Sequence, residues 1–188
     1  MSNDIKIEII NGNDIEQCRE LCEELMKFQK EQAMLHSECF DGMTFDTRMK
    51  RSFDGARDKQ VVVVKDGEIP IGYVFSTIDM VTEEGKNSRP DWAPEGGIGF
   101  YPDWLEMPQK TGCLSNLYFK EEYRGLKLGS KLFKIAMEWL ESFSDVNVIF
   151  VYISNGNDAA LDFYLKNGFI YSHDVFGGFI KTAYKKLK

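Results

Sequence analysis

The sequence predicts a mixed α/β fold, a sheet flanked by helices in the order β-α-α-β-β-loop-β-α-β-α-β-β. Helical and strand periodicities alternate along the chain. Leu128, Leu132, Ile135, Ala136, Trp139, Leu140 and Phe143 form its cleanest apolar stripe at helical spacing. Val146 to Ile153 is a nearly continuous apolar run, the pattern of a central strand covered on both faces. A length of 188 residues, 43% of them hydrophobic, suits one domain with a sizeable core. We therefore expect a single domain over residues 1–188, with a long loop insertion at about 82–110.

The elements follow in order. Ile5, Ile7 and Ile9 alternate with polar residues, as in a half-buried strand over 4–10. Asn13 or Asp14 caps a helix whose stripe is Ile15, Cys18, Cys22, Leu25 and Met26, reaching about Gln32. A short helix is expected over Asp46 to Phe53. Val61 to Val64 is a compact strand, Asp66-Gly67 a hairpin turn, and Ile69 to Ile78 the returning strand. Residues 82–110 hold four of the five prolines together with Trp92 and Trp104. They are too aromatic for a linker and too broken for a regular element, which fits a lid or binding loop. Gly112 to Phe119 reads as a strand, Asp158 to Asn167 as a helix ended by Gly168, and Phe169–His173 with Phe179–Leu187 as a hairpin.

Composition excludes several functions. A net charge of −7 argues against general nucleic-acid binding. Four cysteines without a CxxC pair and two histidines make a zinc site improbable, and Cys18 and Cys22 read as small core residues. The start MSNDIKIEII lacks the features of a signal peptide, and no apolar run is long enough to span a membrane. A reduced, cytoplasmic, metal-free protein is expected, with a homodimer left open.

Chemistry concentrates at Leu117 to Phe133. An apolar strand end (Leu117, Tyr118, Phe119) runs into a charged turn with Arg124 and Gly125, and a helix opens between Leu126 and Gly129. The first N–H groups of a helix lack intrahelical partners and carry the positive end of its dipole, so they form an anion seat. Lys120, Arg124, Lys127, Lys131 and Lys134 face only Glu121 and Glu122 in this stretch, which suits a small polyanion.

Two segments together resemble motifs of the GNAT superfamily of N-acetyltransferases. YRGLKLGSKLF, Tyr123 to Phe133, resembles that family's pyrophosphate loop, R-x-x-G-x-G/A after a strand. NDAALDFYLKNGF resembles N-x-x-A-x-x-x-Y-x-x-x-G-F, with Asn157, Ala160, Tyr164, Gly168 and Phe169 at every position. The resemblance covers most of the chain. It implies a mostly antiparallel sheet with a splayed central strand pair, and acetyl-CoA as cosubstrate. Arg124, Gly125, Leu126, Lys127, Leu128, Gly129 and Ser130 would hold the coenzyme A pyrophosphate, mainly through backbone N–H groups. The backbone of Leu117 to Phe119 would pair with pantetheine as an added strand would. Asn157 would hydrogen-bond the pantetheine arm, and Tyr164 would protonate the leaving thiolate. Lys127 stands where the family has its first motif glycine. That leaves the N–H in place, removes room for a positive φ and adds a charge, so binding with altered loop geometry is expected.

The implied reaction is direct attack of a primary amine on the thioester. A lysine-like amine of pKa 10.4 is neutral in about one molecule in 2,500 at pH 7, so a base or a water chain to one is needed. Many family members carry a glutamate on the strand before the loop; here that strand has Cys113, Ser115 and Asn116. Glu95, Asp103 and Glu106 of the long loop are the candidates. Residues 14–41 hold eight acidic side chains against three basic, and 82–110 six against three. An acidic entrance lined with Trp92, Phe100, Tyr101 and Trp104 would suit a cationic small-molecule or peptide amine. The alternatives are a non-catalytic acyl-CoA-binding or sensor module and, disfavoured by the lack of a GKS/T loop, a nucleotide-binding protein.

Overall fold

The computed structural model describes residues 4–187. Met1 to Asn3, part of the stretch read as lacking a signal peptide, lie outside them. The strands are β1 (Ile5–Ile10), β2 (Asp58–Asp66), β3 (Ile69–Val81), β4 (Gln109–Phe119), β5 (Val148–Ser154), β6 (Ile170–Val175) and β7 (Ile180–Lys186). The helices are α1 (Arg19–Gln32), α2 (Arg51–Gly55), α3 (Glu83–Asn87), α4 (Leu128–Glu141) and α5 (Asp158–Lys166). One sheet orders its strands β1-β2-β3-β4-β5-β7-β6, and every neighbouring pair is antiparallel except β4 and β5. This is the expected mixed, mostly antiparallel architecture.

Strand alternation divides the core into two layers. Val62, Val64, Val74 and Ile78 face Leu132, Ala136, Met137 and Leu140 of α4. Val61, Val63, Tyr73 and Phe75 face Cys18, Leu21 and Cys22, together with Phe45, Met49 and Phe53. Burying each large side chain contributes about 1.5–3 kcal/mol, so the two amphipathic stripes hold their helices on opposite faces. Gly112 permits close packing: a Cβ there would lie 3.0 Å from Leu140 Cδ2 and 3.2 Å from Ile149 Cγ1. α4 therefore crosses the sheet tightly where β4 and β5 still pair.

Several elements differ from the sequence reading. Gly12–Cys18, expected to open the first helix under an Asn13 or Asp14 cap, is a 3₁₀ segment with no side-chain cap, and β3 runs past Ile78 to Val81. The short helix expected over Asp46 to Phe53 is longer: a π-wound segment, Phe45–Lys50, runs directly into α2, and Thr44 caps it through the Thr47 N–H. β4 begins at Gln109, earlier than the expected Gly112, because residues 109–111 complete the ladder to Val81, Met80 and Asp79. The long loop contains α3, capped by Thr82.

That loop is anchored rather than free. Trp92 and Phe100 pack on Phe176, and Tyr101 packs edge-on to Phe150. Ile98 bridges to Val175, and the Phe176 N–H donates to the Ile98 carbonyl at 2.9 Å. The Arg89 guanidinium gathers the carbonyls of Pro94, Gly96 and Gly97. The loop is thus a wall built onto β5, β7 and the turn before β7.

Candidate active site

Past Leu114 the two central strands separate. β4 pairs with β5 only at Gly112, Cys113 and Leu114, yet β4 continues to Phe119 and β5 to Ser154. The divergence begins at a bulge: Ser76 of β3 pairs with Leu114 and Phe75 with Asn116, leaving Ser115 as the extra residue. A bulge bends and twists its strand, which here turns β4 away from β5. The edge of β4 facing β5 then lacks a ladder over residues 115–119.

A cavity of about 680 Å³ lies on the α1 side of this opening. Its floor is Thr77 and Asp79 of β3, Cys113 and Ser115 of β4, and Tyr152 and Ser154 of β5. Phe40, Trp92, Phe100 and Phe179 form apolar walls, with Arg48, Arg51, Arg89 and Asp91 around them. Burial pushes the Cys113 thiol up and Tyr101 to about 12, and raises Tyr152 well above its ordinary value, so these groups stay neutral near pH 7. The Ser154 hydroxyl is buried and has no hydrogen-bond partner among the described residues.

On the opposite face, α4 opens beside the same strand ends. Gly125 (φ 81°) and Lys127 (φ 60°) both take the left-handed conformation, and no side chain caps α4. Its first N–H groups therefore point outward with the positive end of the dipole. Lys120 is held by Glu20 and Glu24, and Lys134 by Glu138, whereas Arg124, Lys127 and Lys131 have no carboxylate partner among the described residues. Arg124 Nε donates to the Phe119 carbonyl at 3.2 Å, and its guanidinium sits over the rings of Phe28 and Tyr118. One strand gap thus joins an anion seat on one face to a cavity on the other.

A model of the Acetyltransferase (GNAT) family matches residues 20–169. The chain belongs to the GNAT family of acetyltransferases. Its fold is similar to that of a PaiA N-acetyltransferase from Thermoplasma acidophilum solved in complex with coenzyme A: 18% identity, 97% of this chain and 99% of that chain covered, TM-score 0.60. Arabidopsis thaliana NAA60 in complex with acetyl-CoA is similar at 15% identity, with 97% of each chain covered and a TM-score of 0.57. The NatC complex bound to Gag peptide and CoA contains a chain similar at 15% identity, with 98% of this chain and 99% of that chain covered and a TM-score of 0.60. No curated protein sequence matches significantly.

Within this GNAT chain the residues read from the sequence gather around the gap. Leu117, Tyr118 and Phe119 are the end of β4 that pairs with β3 but not with β5, and Arg124 to Ser130 form the turn into α4. Lys127 departs from one expectation: it takes a positive φ of 60°, for which a lysine was expected to leave no room. A non-glycine residue there costs about 1–2 kcal/mol. Asn157 caps α5, its Oδ1 accepting from the Ala160 N–H at 3.2 Å, which leaves its amide NH₂ available. Tyr164, on α5, is buried among Phe133, Phe163 and Phe169. Burial raises its phenol well above the usual value, and Cys113 is close enough to add to that.

Other expectations fail. Glu95, Asp103 and Glu106 are exposed, and none lines the cavity; its carboxylates are Asp79 and Asp91. Asp79 lies just beyond the expected end of β3 at Ile78. Only the extra ladder to Thr111 brings it onto the floor. The cavity lining carries three arginines, Arg48, Arg51 and Arg89, beside those two aspartates. Trp104 stacks on Phe150 and Tyr184 instead of lining the cavity. Period-two spacing alone would have placed Cys113 with Ser115 and Tyr152 with Ser154, but not the two pairs against each other.

Among the described residues no helix is long and apolar enough to cross a membrane, and no group of three or more His, Cys, Asp or Glu could hold a metal.

Proposed function

We propose that this chain is an acetyl-CoA-dependent N-acetyltransferase that moves the acetyl group directly to a primary amine held in the 680 Å³ cavity. The observation that carries this reading is the separation of β4 from β5 past Leu114, with an uncapped helix start on one face and an open cavity on the other.

The residues fit coenzyme A. The N–H groups opening α4, with Arg124, Lys127 and Lys131, would take the pyrophosphate. The unladdered edge of β4 at Leu117 to Phe119 would pair with the amide-bearing arm, and the Asn157 NH₂ would donate to it. When bound, acetyl-CoA supplies a thioester carbonyl at the gap.

The chain's own groups have separate tasks. Asp79, on the cavity floor, stabilises the incoming ammonium and takes its proton directly or through water. Its Oδ1 accepts from the Arg57 N–H at 2.9 Å, which holds the carboxylate in place. Tyr164 approaches from the α5 side with a phenol kept protonated by burial, so it is a proton donor to the departing sulfur. The aromatic walls exclude water, which limits hydrolysis.

The test uses acetyl-CoA with a panel of amines while free thiol is followed. Thiol release that depends on the amine supports transfer. If acetyl-CoA raises the melting temperature but no amine releases thiol, the chain is a binding or sensor module. An unchanged melting temperature in millimolar acetyl-CoA overturns both readings.

A further inference from the structure

The cations of this acidic protein are mostly accounted for within the fold. Lys30 pairs with Asp41, Lys50 with Asp54, Lys65 with Glu8, and Lys110 with Asp145. Arg89 and Lys59 are surrounded by backbone carbonyls. Those without such partners include Arg124, Lys127 and Lys131 at the anion seat.

Arg48 and Arg51 stand apart from that seat. Both line the acceptor cavity and the adjoining depression of about 420 Å³. Among the described residues the Arg48 guanidinium makes two contacts at the outer limit of hydrogen bonding, to Ser52 Oγ at 3.5 Å and the Ser115 carbonyl at 3.4 Å. The Arg51 side chain makes no hydrogen bond or ion pair among the described residues. Asp79 and Asp91 also face the cavity, yet neither pairs with Arg48 or Arg51. The π-wound segment and the first residue of α2 place Arg48 and Arg51, three residues apart, on the lining of one space.

A second observation points to a ligand. Ser154, 4% exposed, lines the same cavity with a buried hydroxyl that lacks a partner. A buried polar group without a partner costs stability, so it fits a site completed by a bound oxygen or nitrogen. Guanidinium forks match the paired oxygens of carboxylate and phosphate.

We propose that the acceptor is a compact amine that also carries an anionic oxygen group, carboxylate or phosphate, held by Arg48 and Arg51. The ammonium end lies toward Asp79, the anionic end toward the arginines, and Ser154 bonds a polar atom between them. This rests on the acetyl-transfer reading for its amine and on the cavity lining for its anion. A polyamine, cationic at every terminus, would meet two unpaired arginines and be rejected by charge.

The experiment measures binding and transfer separately. Binding is read from Trp92, which lines the cavity: fluorescence of the intact protein is titrated with phenylalanine against phenethylamine, and with phosphoethanolamine against ethanolamine. Transfer is read as thiol release from acetyl-CoA with the same four compounds. At least one anion-bearing amine should bind about 10- to 100-fold more tightly than its anion-free counterpart, the scale of a charge-assisted hydrogen bond. The two pairs distinguish carboxylate from phosphate. Arg51→Gln, an exposed change, should remove that preference and leave the KM for acetyl-CoA unchanged, with Arg51→Lys recovering part of it. Arg51-dependent binding without thiol release upholds the anion site and overturns acetyl transfer. Transfer to phenethylamine or ethanolamine in preference to their anionic counterparts does the reverse. No preference in either pair, or a preference that survives Arg51→Gln, overturns the proposal.

Discussion

Asn155 grips Leu35 through both ends of its amide: Oδ1 accepts from the Leu35 N–H at 2.8 Å, and Nδ2 donates to the Leu35 carbonyl at 2.9 Å. The same side chain accepts from the Met34 N–H at 2.7 Å and donates to the Phe179 carbonyl at 2.9 Å. At 4% exposure, this buried amide ties the exit of α1 and the start of β7 to the end of β5, beside the gap. Next to it Gly156 has φ 82°, and a Cβ there would collide with the Gln32 carbonyl. Replacing Asn155 by Ala should therefore destabilise the protein by about 2–4 kcal/mol, since several backbone groups lose their partners. Gly156→Ala should cost a similar amount through collision and positive φ. Urea denaturation checks both; a loss under about 1 kcal/mol for each would show that the junction is not a clamp.

Lys127 allows charge and backbone geometry to be separated. Lys127→Gly keeps the left-handed turn and removes the charge, so stability should stay within about 1 kcal/mol of the parent. Coenzyme A affinity should fall less than about tenfold and become less sensitive to salt. Lys127→Val removes the charge and disfavours the turn, and should be destabilised by a further 1–2 kcal/mol or about that. Titration calorimetry at two salt concentrations distinguishes the variants.

Tyr164→Phe retains the ring packed against Phe133 and Phe169 and deletes only the hydroxyl. Turnover should fall at least about tenfold, the low end for loss of a general acid, with coenzyme A affinity nearly unchanged. Because burial holds this phenol above its usual range, any basic limb of the rate profile below pH 10 should persist in the variant. Unchanged kcat would remove Tyr164 from the reaction.

For Asp79→Asn, the acceptor for the Arg57 N–H remains and only the charge is lost. The ratio kcat/KM for the amine should fall about tenfold or more at pH 7. The deficit should shrink as the pH approaches the amine's own pKa, where neutral amine no longer needs a base. A deficit independent of pH would point to positioning instead.

Stability should decline in alkali. Burial, with Cys22 adjacent, pushes the Cys18 thiol from its ordinary 9.0 to about 12, and burial raises Tyr73 above 10.0 as well. Above about pH 9 the unfolded chain gives up these protons while the folded chain keeps them, so the unfolded state is favoured as pH rises. The stabilisation is complete below the unfolded values and is lost toward pH 12. Each such group contributes up to about 1.4 kcal/mol per pH unit. Urea midpoints at pH 8, 9.5 and 10.5 should fall in that order, and less steeply for Cys18→Ala.

Most secondary elements, the mixed sheet and the helix start after Arg124 were legible in the sequence, because each depends on neighbours in the chain. The compact run Val61–Val64, the apolar stripe of α4 and the glycine ending α5 are local signals with local causes. So is the pairing of the two motifs with which the family resemblance began. Tertiary structure alone determined the rest. Asp79 reaches the cavity floor because β3 and β4 pair three residues further than expected, and Ser115 opens the gap because it is a bulge between strands distant in sequence. Arg48 and Arg51 come from the α1 side and face Ser154 across a space that no sequence window spans. Acidic composition near residues 14–41 described a surface, whereas the cavity takes its charge from the few side chains directed into it. Residue spacing reports which groups share a face of one element; only packing of several elements determines which faces meet.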